Sequence, residues 1–333
     1  MNALVVRRRL AAIFAHRRRA IARLLPQLRR TDTPLRVAVA GGSGFVGGAI
    51  VRELHSRGER VVVLSSRPAS AAGHLPDDVE TRHADVADPD SLASALEGVD
   101  ALVISLAFPN SPMEPPRLGH AFEQVDAAGT ERLVAAAMAA GVRRIACISG
   151  AGAAPYSTRP WFRAKWRAET AVKGSGIAYT IVRPTWLYGP DDVALNRSLG
   201  FAKWLPSVPL TGSGRRPLAP VSVDDVAGLV ADALRADDAR DQLFEIGGPD
   251  VLTMRDVVRT ALRVAGLRRP LLPAPAALLK LAAWPLRLLP RPPLTPDAVD
   301  FVNQPATVDS APLLARMPRR LTPLAEGLGT YLR

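Results

Sequence analysis

The sequence predicts a doubly wound α/β fold, in which a parallel sheet carries helices on both faces and a smaller lobe follows toward the C-terminus. Short apolar, strand-like runs alternate with helical stretches along the first two thirds of the chain, as a parallel sheet requires. A glycine-rich turn joins the first strand to the first helix. With 333 residues, 48% of them hydrophobic, the chain can bury a core for one such domain and an appended lobe.

The predicted elements follow from these runs in chain order. Strands are predicted at Val37–Ala40, Arg60–Leu64, Glu80–Ala84, Ala101–Leu106, Arg144–Ser149, Ala178–Arg183 and Leu243–Ile246. Helices are predicted at Phe45–Arg57, Arg117–Ala140 and Pro160–Val172. We divide the chain into a basic extension at 1–33, a sheet domain at 34–195, and a remainder at 196–333 that holds the late strand and the lobe.

The turn after the first strand reads Gly41-Gly42-Ser43-Gly44-Phe45-Val46-Gly47. Small residues let a backbone approach a diphosphate closely, and the free N–H groups and dipole of the following helix offset its charge. The spacing is G-x-x-G-x-x-G instead of G-x-G-x-x-G, so the glycines alone are weak evidence. The strand–turn–helix context favours dinucleotide binding over a structural turn, with Gly41, Ser43, Gly44, Phe45, Val46 and Gly47 as the cradle.

The second strand ends in Ser65-Ser66-Arg67. In a dinucleotide fold this position faces the adenosine ribose, where an acidic residue binds the 2′-hydroxyl of NAD. Here the acid is absent and Arg67 offers a charge-assisted contact to the 2′-phosphate of NADP. The sequence therefore favours NADP(H) over NAD(H), the alternative being a solvated loop arginine.

Several motifs in order resemble the short-chain dehydrogenase/reductase superfamily. They are the glycine turn, Ala84-Asp85-Val86, Gly129-Thr130, Ser149, Lys165, the run Val182–Pro190, Val221–Ala227, and Gly247-Gly248-Pro249 with Leu252-Thr253. Together they are most similar to the atypical, extended branch, which is NAD-dependent epimerase/dehydratase-like, and within it to relatives of the NADPH-binding accessory subunit of respiratory complex I. The resemblance covers about residues 35–310 and implies a Rossmann-type fold.

The resemblance also implies roles for single residues. Asp85 and Val86 would lie at the adenine, Leu106 and Ala107 under the ribose and pyrophosphate, and Pro184 beside the nicotinamide amide. Asp224 or Asp225 would cap the helix that follows them, and so have a structural role.

The departures from the superfamily pattern concern proton transfer. The superfamily carries Tyr-x-x-x-Lys, whereas this chain reads Trp161-Phe162-Arg163-Ala164-Lys165. An indole N–H cannot relay a proton as a phenol can, and Tyr156 precedes Pro160 and so lies before the helix. Gly150 replaces the catalytic serine, and Asp126 replaces a frequent asparagine. Lys165 would bind the nicotinamide ribose, and Lys165 and Ser149 are the candidate catalytic groups that remain.

The net charge of +12 resides mainly in residues 1–30, which hold nine arginines and no acid. Their apolar residues fall within one helical arc, without a run long enough to span a membrane. The segment is an anchor on anionic lipid, a transit peptide, or an extension disordered in solution. It has no recognised nucleic-acid motif.

The C-terminal lobe contains its most unusual segment at 271–289. Between Leu267 and Pro296 the chain has five basic residues and no acid, and Ala276–Leu289 is largely apolar. This segment is a helix packed on the core, or a surface presented to a membrane or a partner subunit. Phe201–Leu210 and Gly212–Arg216 are expected to cover the cleft as a flap.

Three functions follow from these observations. The first is an NADP(H)-binding accessory or regulatory protein, related to respiratory complex I or quinone metabolism, with slow or absent turnover. The second is an active reductase or isomerase on a hydrophobic substrate, and the third a sensor of the NADP redox state. One cysteine, Cys147, excludes an internal disulfide and suits a reducing compartment, and no metal motif is present. We expect a cytoplasmic location, peripheral on the inner face of a membrane if the extension binds lipid, or the mitochondrial matrix in a eukaryote.

Overall fold

A computed structural model describes residues 33–332 except 73–74, 108–120, 287–294, 303 and 305. The basic extension therefore lies outside the described residues, apart from Thr33, as do the start of the predicted helix at 117 and the end of the segment 271–289. None of the helices in the described ranges is long and apolar enough to cross a membrane.

The centre of the molecule is a parallel sheet that, in the described residues, has seven strands in the order β11-β6-β5-β4-β1-β2-β3. These strands are β1 (Arg36–Ala40), β2 (Arg60–Ser65), β3 (Glu80–His83), β4 (Ala101–Ile104), β5 (Arg144–Ile148), β6 (Ala178–Pro184) and β11 (Gln242–Ile246). Their apolar runs are buried because helices cover both faces of the sheet. The strand order reverses at β1, whose neighbours are β2 and β4, and such a switch point opens a crevice at the carboxyl ends of the strands.

Helices connect the strands and build the lobe. They are α1 (Phe45–Ser56), α2 (Pro68–Ala72), α3 (Pro89–Ala95), α4 (Gly129–Ala139), α5 (Pro160–Gly174), α6 (Val193–Trp204), α7 (Val223–Ala233), α8 (Met254–Val264), α9 (Ala276–Leu286), α10 (Pro296–Val302), α11 (Ala311–Arg316) and α12 (Leu324–Leu328). Short strand pairs add β7 (Leu187–Tyr188) with β10 (Val221–Ser222), β8 (Val208–Thr211) with β13 (Leu271–Ala274), and β9 (Pro217–Leu218) with β12 (Leu252–Thr253).

Two departures from the predicted bounds bear on the site. The helix predicted at Arg117–Ala140 contains a π-helix, Phe122–Ala128, before α4, a wider turn that hydrophobic periodicity cannot reveal and that is frequent at functional sites. The fourth strand ends at Ile104 instead of Leu106. Its last hydrogen bond to β1 is donated by the Ser105 N–H to the Ala40 carbonyl at 2.9 Å, and the chain leaves the sheet beyond this point.

The core has one layer on each face of the sheet. One layer joins β1, α1 and α7, and the other joins α3, α4 and β5. Cys147 is buried in the second layer, and burial raises the pKa of its thiol to about 12. A third cluster packs α6, α8 and α12 into the lobe, so the lobe has apolar packing of its own and stands beside the carboxyl edge of the sheet.

Candidate functional site

The glycine turn forms a tight cradle between β1 and α1. Gly41 has a φ of +81°, and a Cβ built on it would lie 2.2 Å from the Ser105 carbonyl oxygen. A Cβ on Gly47 would lie 2.1 Å from the Gly41 carbonyl oxygen. The Gly44 N–H closes the turn on that same oxygen at 3.0 Å. Only glycine therefore fits at 41 and 47.

The first turn of α1 is free to meet an anion. Gly44 caps the helix without a side chain, and the first turn contains no acid. Ser43 and Gly44 are exposed, while Phe45 and Val46 are half-buried. Backbone N–H groups at a helix N-terminus, together with its dipole, bind phosphate. The cradle therefore fits the diphosphate of a dinucleotide.

The predicted adenosine end lies at the carboxyl ends of β2 and β3. Arg67 follows β2, is exposed, and makes no side-chain contact among the described residues. Asp85 is half-buried, and its carboxylate accepts from the Ala87 N–H at 2.8 Å. Val86 packs against Gly129. Arg67 and Asp85 thus follow the carboxyl ends of two neighbouring strands, β2 and β3.

Lys165 and Asp126 form a buried ion pair beside the end of β4. The Lys165 Nζ lies 2.6 Å from Asp126 Oδ1, and the two side chains are 20% and 3% exposed. The same ammonium donates to the Leu106 carbonyl at 3.4 Å, while the next residue, Ala107, is exposed. Burial by itself lowers the pKa of Lys165, but the charge of Asp126 and the hydrogen bond to it outweigh burial and raise this pKa. Lys165 is therefore a fixed cation at the crevice.

Trp161 occupies the position of the superfamily tyrosine and belongs to an aromatic cluster. Its ring is 3% exposed and lies 6.1 Å from Phe122, 5.7 Å from Phe162 and 5.2 Å from Phe301, measured between ring centroids. The indole Nε1 is buried without a hydrogen-bond partner among the described residues. Trp161 thus contributes packing between the π-helix, α5 and α10, and offers no ionisable proton. A Cβ on nearby Gly150 would meet nothing within 4 Å.

Ser149 is committed to a buried network with Glu169. Its hydroxyl donates to the Glu169 carboxylate at 2.5 Å, which also accepts two hydrogen bonds from the Arg183 guanidinium at 2.7 Å each. Pro184 ends β6 next to this network, is buried, and accepts from the Ala151 N–H at 3.0 Å. The structure does not direct the Ser149 hydroxyl at Lys165.

Three residues four apart on α5 define this part of the site: Trp161, Lys165 and Glu169. Residues at this spacing share one helix face. The sequence indicates Lys165 and the absence of tyrosine, but neither Glu169 nor the pairing of Lys165 with Asp126 was predicted. The spacing was a signal for Glu169, whereas Asp126 stands on a distant segment that only the fold brings close.

The expected capping role of Asp224 or Asp225 is wrong. The cap of α7 is Ser222, whose hydroxyl accepts from the Asp224 N–H at 3.3 Å. The Asp225 carboxylate accepts from the Thr322 N–H at 2.7 Å and from its hydroxyl at 2.9 Å. Because the cap lies two residues before Asp224 and three before Asp225, the Asp225 carboxylate binds the C-terminal segment instead.

A cavity of about 660 Å³ lies beyond the carboxyl ends of β5, β6 and β11. Its lining combines apolar and small residues with Tyr156, Arg159, Phe162, Arg216, Gln304 and the acidic Glu245. Of the predicted flap, Arg216 lines the cavity, while the first flap segment, Phe201–Leu210, contains the end of α6 and most of β8. Arg159 is paired with Asp300 at 2.8 Å and Glu245 with Arg183 at 3.5 Å, whereas Arg216 is exposed and has no ion pair among the described residues. The cavity is therefore largely apolar, with one unpaired arginine at its lining.

The fold and the cradle together define the class of Rossmann-type dinucleotide-binding proteins. The chain belongs to the NAD(P)H-binding family, whose model matches residues 41–237. This membership confirms the fold class and the superfamily resemblance that the motifs predicted.

The relatives include both an assembly subunit and a reductase. The chain is 30% identical over 254 residues to NADH dehydrogenase (ubiquinone) 1 alpha subcomplex subunit 9, mitochondrial, from Arabidopsis thaliana, with 72% of this chain covered. The match spans 62% of that subunit's length, less than two thirds. This chain is also 28% identical over 232 residues to an NAD(P)H azoreductase from Xenophilus azovorans, and the match covers 69% of this chain and 74% of the relative.

A solved structure shares the fold at lower identity. The NADPH-dependent quinone oxidoreductase of Escherichia coli, complexed with NADPH, superposes with a TM-score of 0.68 at 20% identity, covering 89% of this chain and 100% of that one. The chain is therefore a member of the NAD(P)H-binding family with the fold of this oxidoreductase, and a mitochondrial NADH dehydrogenase subunit is among its relatives.

Proposed function

We propose that this protein binds NADP(H) in preference to NAD(H) and serves an accessory or regulatory role related to respiratory complex I or quinone metabolism. The observation that carries the proposal is the contrast within one crevice. The glycine cradle at 41 and 47 admits only glycine, whereas the tyrosine position holds a tryptophan packed into an aromatic cluster. The crevice therefore has the glycines that nucleotide binding needs, while the residue at the position of the usual proton donor is a tryptophan.

The residues divide the cofactor between them. The diphosphate would be held by Gly41, Ser43, Gly44, Phe45, Val46 and Gly47, and the 2′-phosphate by Arg67. Asp85 and Val86 would contact the adenine. Leu106 and Ala107 would lie under the ribose and pyrophosphate, Lys165 would bind the nicotinamide ribose, and Pro184 would lie beside the carboxamide. When bound, the cofactor supplies a hydride at its nicotinamide ring. Lys165 and Asp126 orient the ribose, and Lys165 is the one ionisable group of the tyrosine–lysine pair that remains.

We expect the parent protein to bind NADPH at least about tenfold more tightly than NADH, since a hydrogen bond between charged groups contributes about 1.5–3 kcal/mol and 1.4 kcal/mol is about tenfold. Arg67→Ala should remove most of that difference by weakening NADPH alone. Isothermal titration calorimetry with both cofactors measures it. Arg60→Ala is the matched control, because Arg60 is an exposed arginine at the opposite end of β2. Equal affinities for NADH and NADPH in the parent would refute the preference.

Turnover should be slow because general acid catalysis, worth about 10²–10⁴ in rate, has lost its phenol. Trp161→Tyr should not by itself produce an efficient enzyme, since the smaller ring leaves the contacts with Phe122 and Phe301 incomplete. Lys165→Ala should mainly weaken nucleotide binding, with Lys203→Ala, an exposed lysine on α6, as control. NADPH oxidation is followed with quinones and aliphatic ketones.

Rapid turnover by the parent protein on any of these substrates would favour the second function, an active reductase or isomerase. The cavity of about 660 Å³ beside α5 supports that alternative, because an accessory protein needs no substrate space. Its substrate would be hydrophobic, with Arg216 available for an anionic group. Lys165 would then be the catalytic acid, while Ser149 would require the Glu169 network to rearrange.

Residues 1–30 and 271–289 are proposed as the surface toward an anionic membrane or a respiratory-complex subunit. Support comes from the shared basic charge of the two segments and from the relative in Arabidopsis thaliana, whose name places it in a mitochondrial complex. A peripheral position on the inner face of a membrane follows from this proposal.

A further inference from the structure

Helix α9 exposes large apolar side chains to water, whereas an ordinary surface helix buries them. Leu278, Leu281 and Trp284 are 62%, 71% and 67% exposed, and their spacing of three places them within one arc of about 120° on an α-helix. On the opposite side, Ala283 is fully buried. The one charged side chain of the helix, Lys280, is 38% exposed and pairs with Asp300 of α10 at 2.6 Å. A helix whose one charge is already paired and whose leucine and tryptophan side chains face water marks an interaction surface.

A groove lined by five arginines lies along α8 and the segment that leads to β13. The groove measures about 910 Å³, and Arg255, Arg259, Arg263, Arg268 and Arg269 contribute to its lining, which contains no acidic residue. The neighbouring Asp256 pairs with Arg259 at 3.0 Å. Arg269 donates to the Ala202 and Leu205 carbonyls, so it is held at the C-terminus of α6.

The remaining arginines are available to a ligand. Arg263 and Arg268 are exposed and make no side-chain ion pair or hydrogen bond among the described residues, and the Nε of Arg255 is buried without a partner there. Guanidinium groups bind phosphate oxygens in a planar fork. The groove is therefore suited to phosphate groups.

The groove and the apolar arc are close along the chain. Leu271 lines the groove and begins β13, and α9 begins five residues later at Ala276. Five extended residues span at most about 17 Å, so the start of α9 lies within that distance of Leu271. Between them Leu272 is also exposed.

We infer that the arginine groove and the Leu278–Leu281–Trp284 arc form one attachment surface for an anionic phospholipid bilayer. The arc enters the boundary between headgroups and acyl chains, where leucine and tryptophan are favoured, and the groove binds lipid phosphates. The charge of this surface matches a bilayer because the groove, the segment around it and the extension at 1–30 all carry basic residues. The inference deepens the proposed partner surface by naming its ligand and does not depend on the cofactor proposal.

The test uses the full chain and sedimentation with phosphatidylcholine vesicles, with or without phosphatidylglycerol. The parent should bind the anionic vesicles and lose binding as salt rises. Arg263→Glu/Arg268→Glu and Leu278→Ser/Leu281→Ser/Trp284→Ser should each lower the partition coefficient at least about tenfold. Arg143→Glu/Arg240→Glu and Met138→Ser/Val251→Ser are the matched controls, made at exposed sites elsewhere, and should change it less than about twofold.

Three results would overturn the inference. The first is that both variants bind as the parent does, which would assign attachment to residues 1–30 or to none. The second is equal binding to neutral vesicles, and the third is release by millimolar inorganic phosphate, which would indicate a soluble phosphate ligand. Thermal midpoints and NADPH titration of the same variants show that they remain folded, so loss of vesicle binding with intact NADPH binding concerns this surface alone.

Discussion

Replacing Gly47 with alanine is expected to reduce NADPH affinity at least a hundredfold. The added Cβ would lie 2.1 Å from the Gly41 carbonyl oxygen and 2.7 Å from its carbon, and both atoms belong to the backbone, which cannot rotate away as a side chain can. The turn must open, which displaces the N–H groups that would meet the diphosphate. Thermal unfolding with and without NADPH measures the effect. The stabilisation of about 2.7 kcal/mol expected at a hundredfold excess over Kd should disappear.

Gly48 provides the matched control. It is the next residue on the same helix, yet a Cβ there would approach no atom closer than 3.5 Å, and alanine is a better helix former than glycine by about 1 kcal/mol. Gly48→Ala should therefore keep the NADPH-induced shift and be neutral or stabilising in its absence. If Gly47→Ala binds NADPH as the parent does, the cradle is not the diphosphate site.

Replacing Glu169 with alanine is expected to lower the free energy of unfolding by about 3–5 kcal/mol, the usual loss when one member of a buried ion pair is removed. The Glu169 carboxylate is 1% exposed, and the Arg183 side chain is 13% exposed. The hydrogen bonds from Arg183 and from Ser149 to this carboxylate would all be lost, leaving the Arg183 guanidinium only its more distant partner, Glu245 at 3.5 Å. Burial lowers the pKa of Arg183, but less than the hydrogen bond to Glu169 raises it, so the guanidinium stays charged.

Glu131 is the control for this measurement. It also pairs with an arginine, Arg167, at 2.7 Å, but the two side chains are 40% and 44% exposed, and exposed pairs contribute about 0–1 kcal/mol. Chemical denaturation of both variants compares the loss of a buried carboxylate–arginine pair with the loss of an exposed one. Losses of similar size for Glu169→Ala and Glu131→Ala would show that the buried network is not a main support of the crevice.

These expectations place the network at the base of the site. Glu169 follows Lys165 by one helical turn, and the two strands it joins through Ser149 and Arg183, β5 and β6, end at the crevice. The network fixes α5 against the sheet, so Lys165 keeps its position relative to Leu106. We therefore expect Glu169→Ala to weaken NADPH binding as well, through the position of Lys165.

Much of the fold was predictable because local patterns specify it. Apart from the polar edge strand β3, Glu80–His83, the strands of the main sheet contain short apolar runs, and buried parallel strands have this appearance in sequence. The predicted bounds of β1, β5 and β6 differ from the structure by one residue. The π-helix was not predictable, because apolar residues fall on one side of either helix type. The position of Asp126 within it therefore remained hidden.

The candidate site was predictable to the extent that motifs lie within one segment. The glycine turn, Arg67 after β2, and the Trp161–Lys165 frame could each be identified from neighbouring residues. The role of Trp161 could not, since its partners Phe122 and Phe301 come from segments far apart along the chain. Ser149 seemed available for catalysis because the sequence gives no sign of a hydroxyl bonded to Glu169.

By itself, the sequence determined the glycine turn, the parallel sheet and the tryptophan at position 161, where the resemblance leads one to expect a tyrosine. Each depends on residue type and on contacts within a few positions, such as a Cβ that cannot fit. The tertiary structure decided which groups share charge and packing: Asp126 with Lys165, Glu169 with Arg183, and Lys280 with Asp300. These pairings join segments that are distant along the chain or depend on how a helix is rotated against its neighbours, and packing of the whole chain sets both.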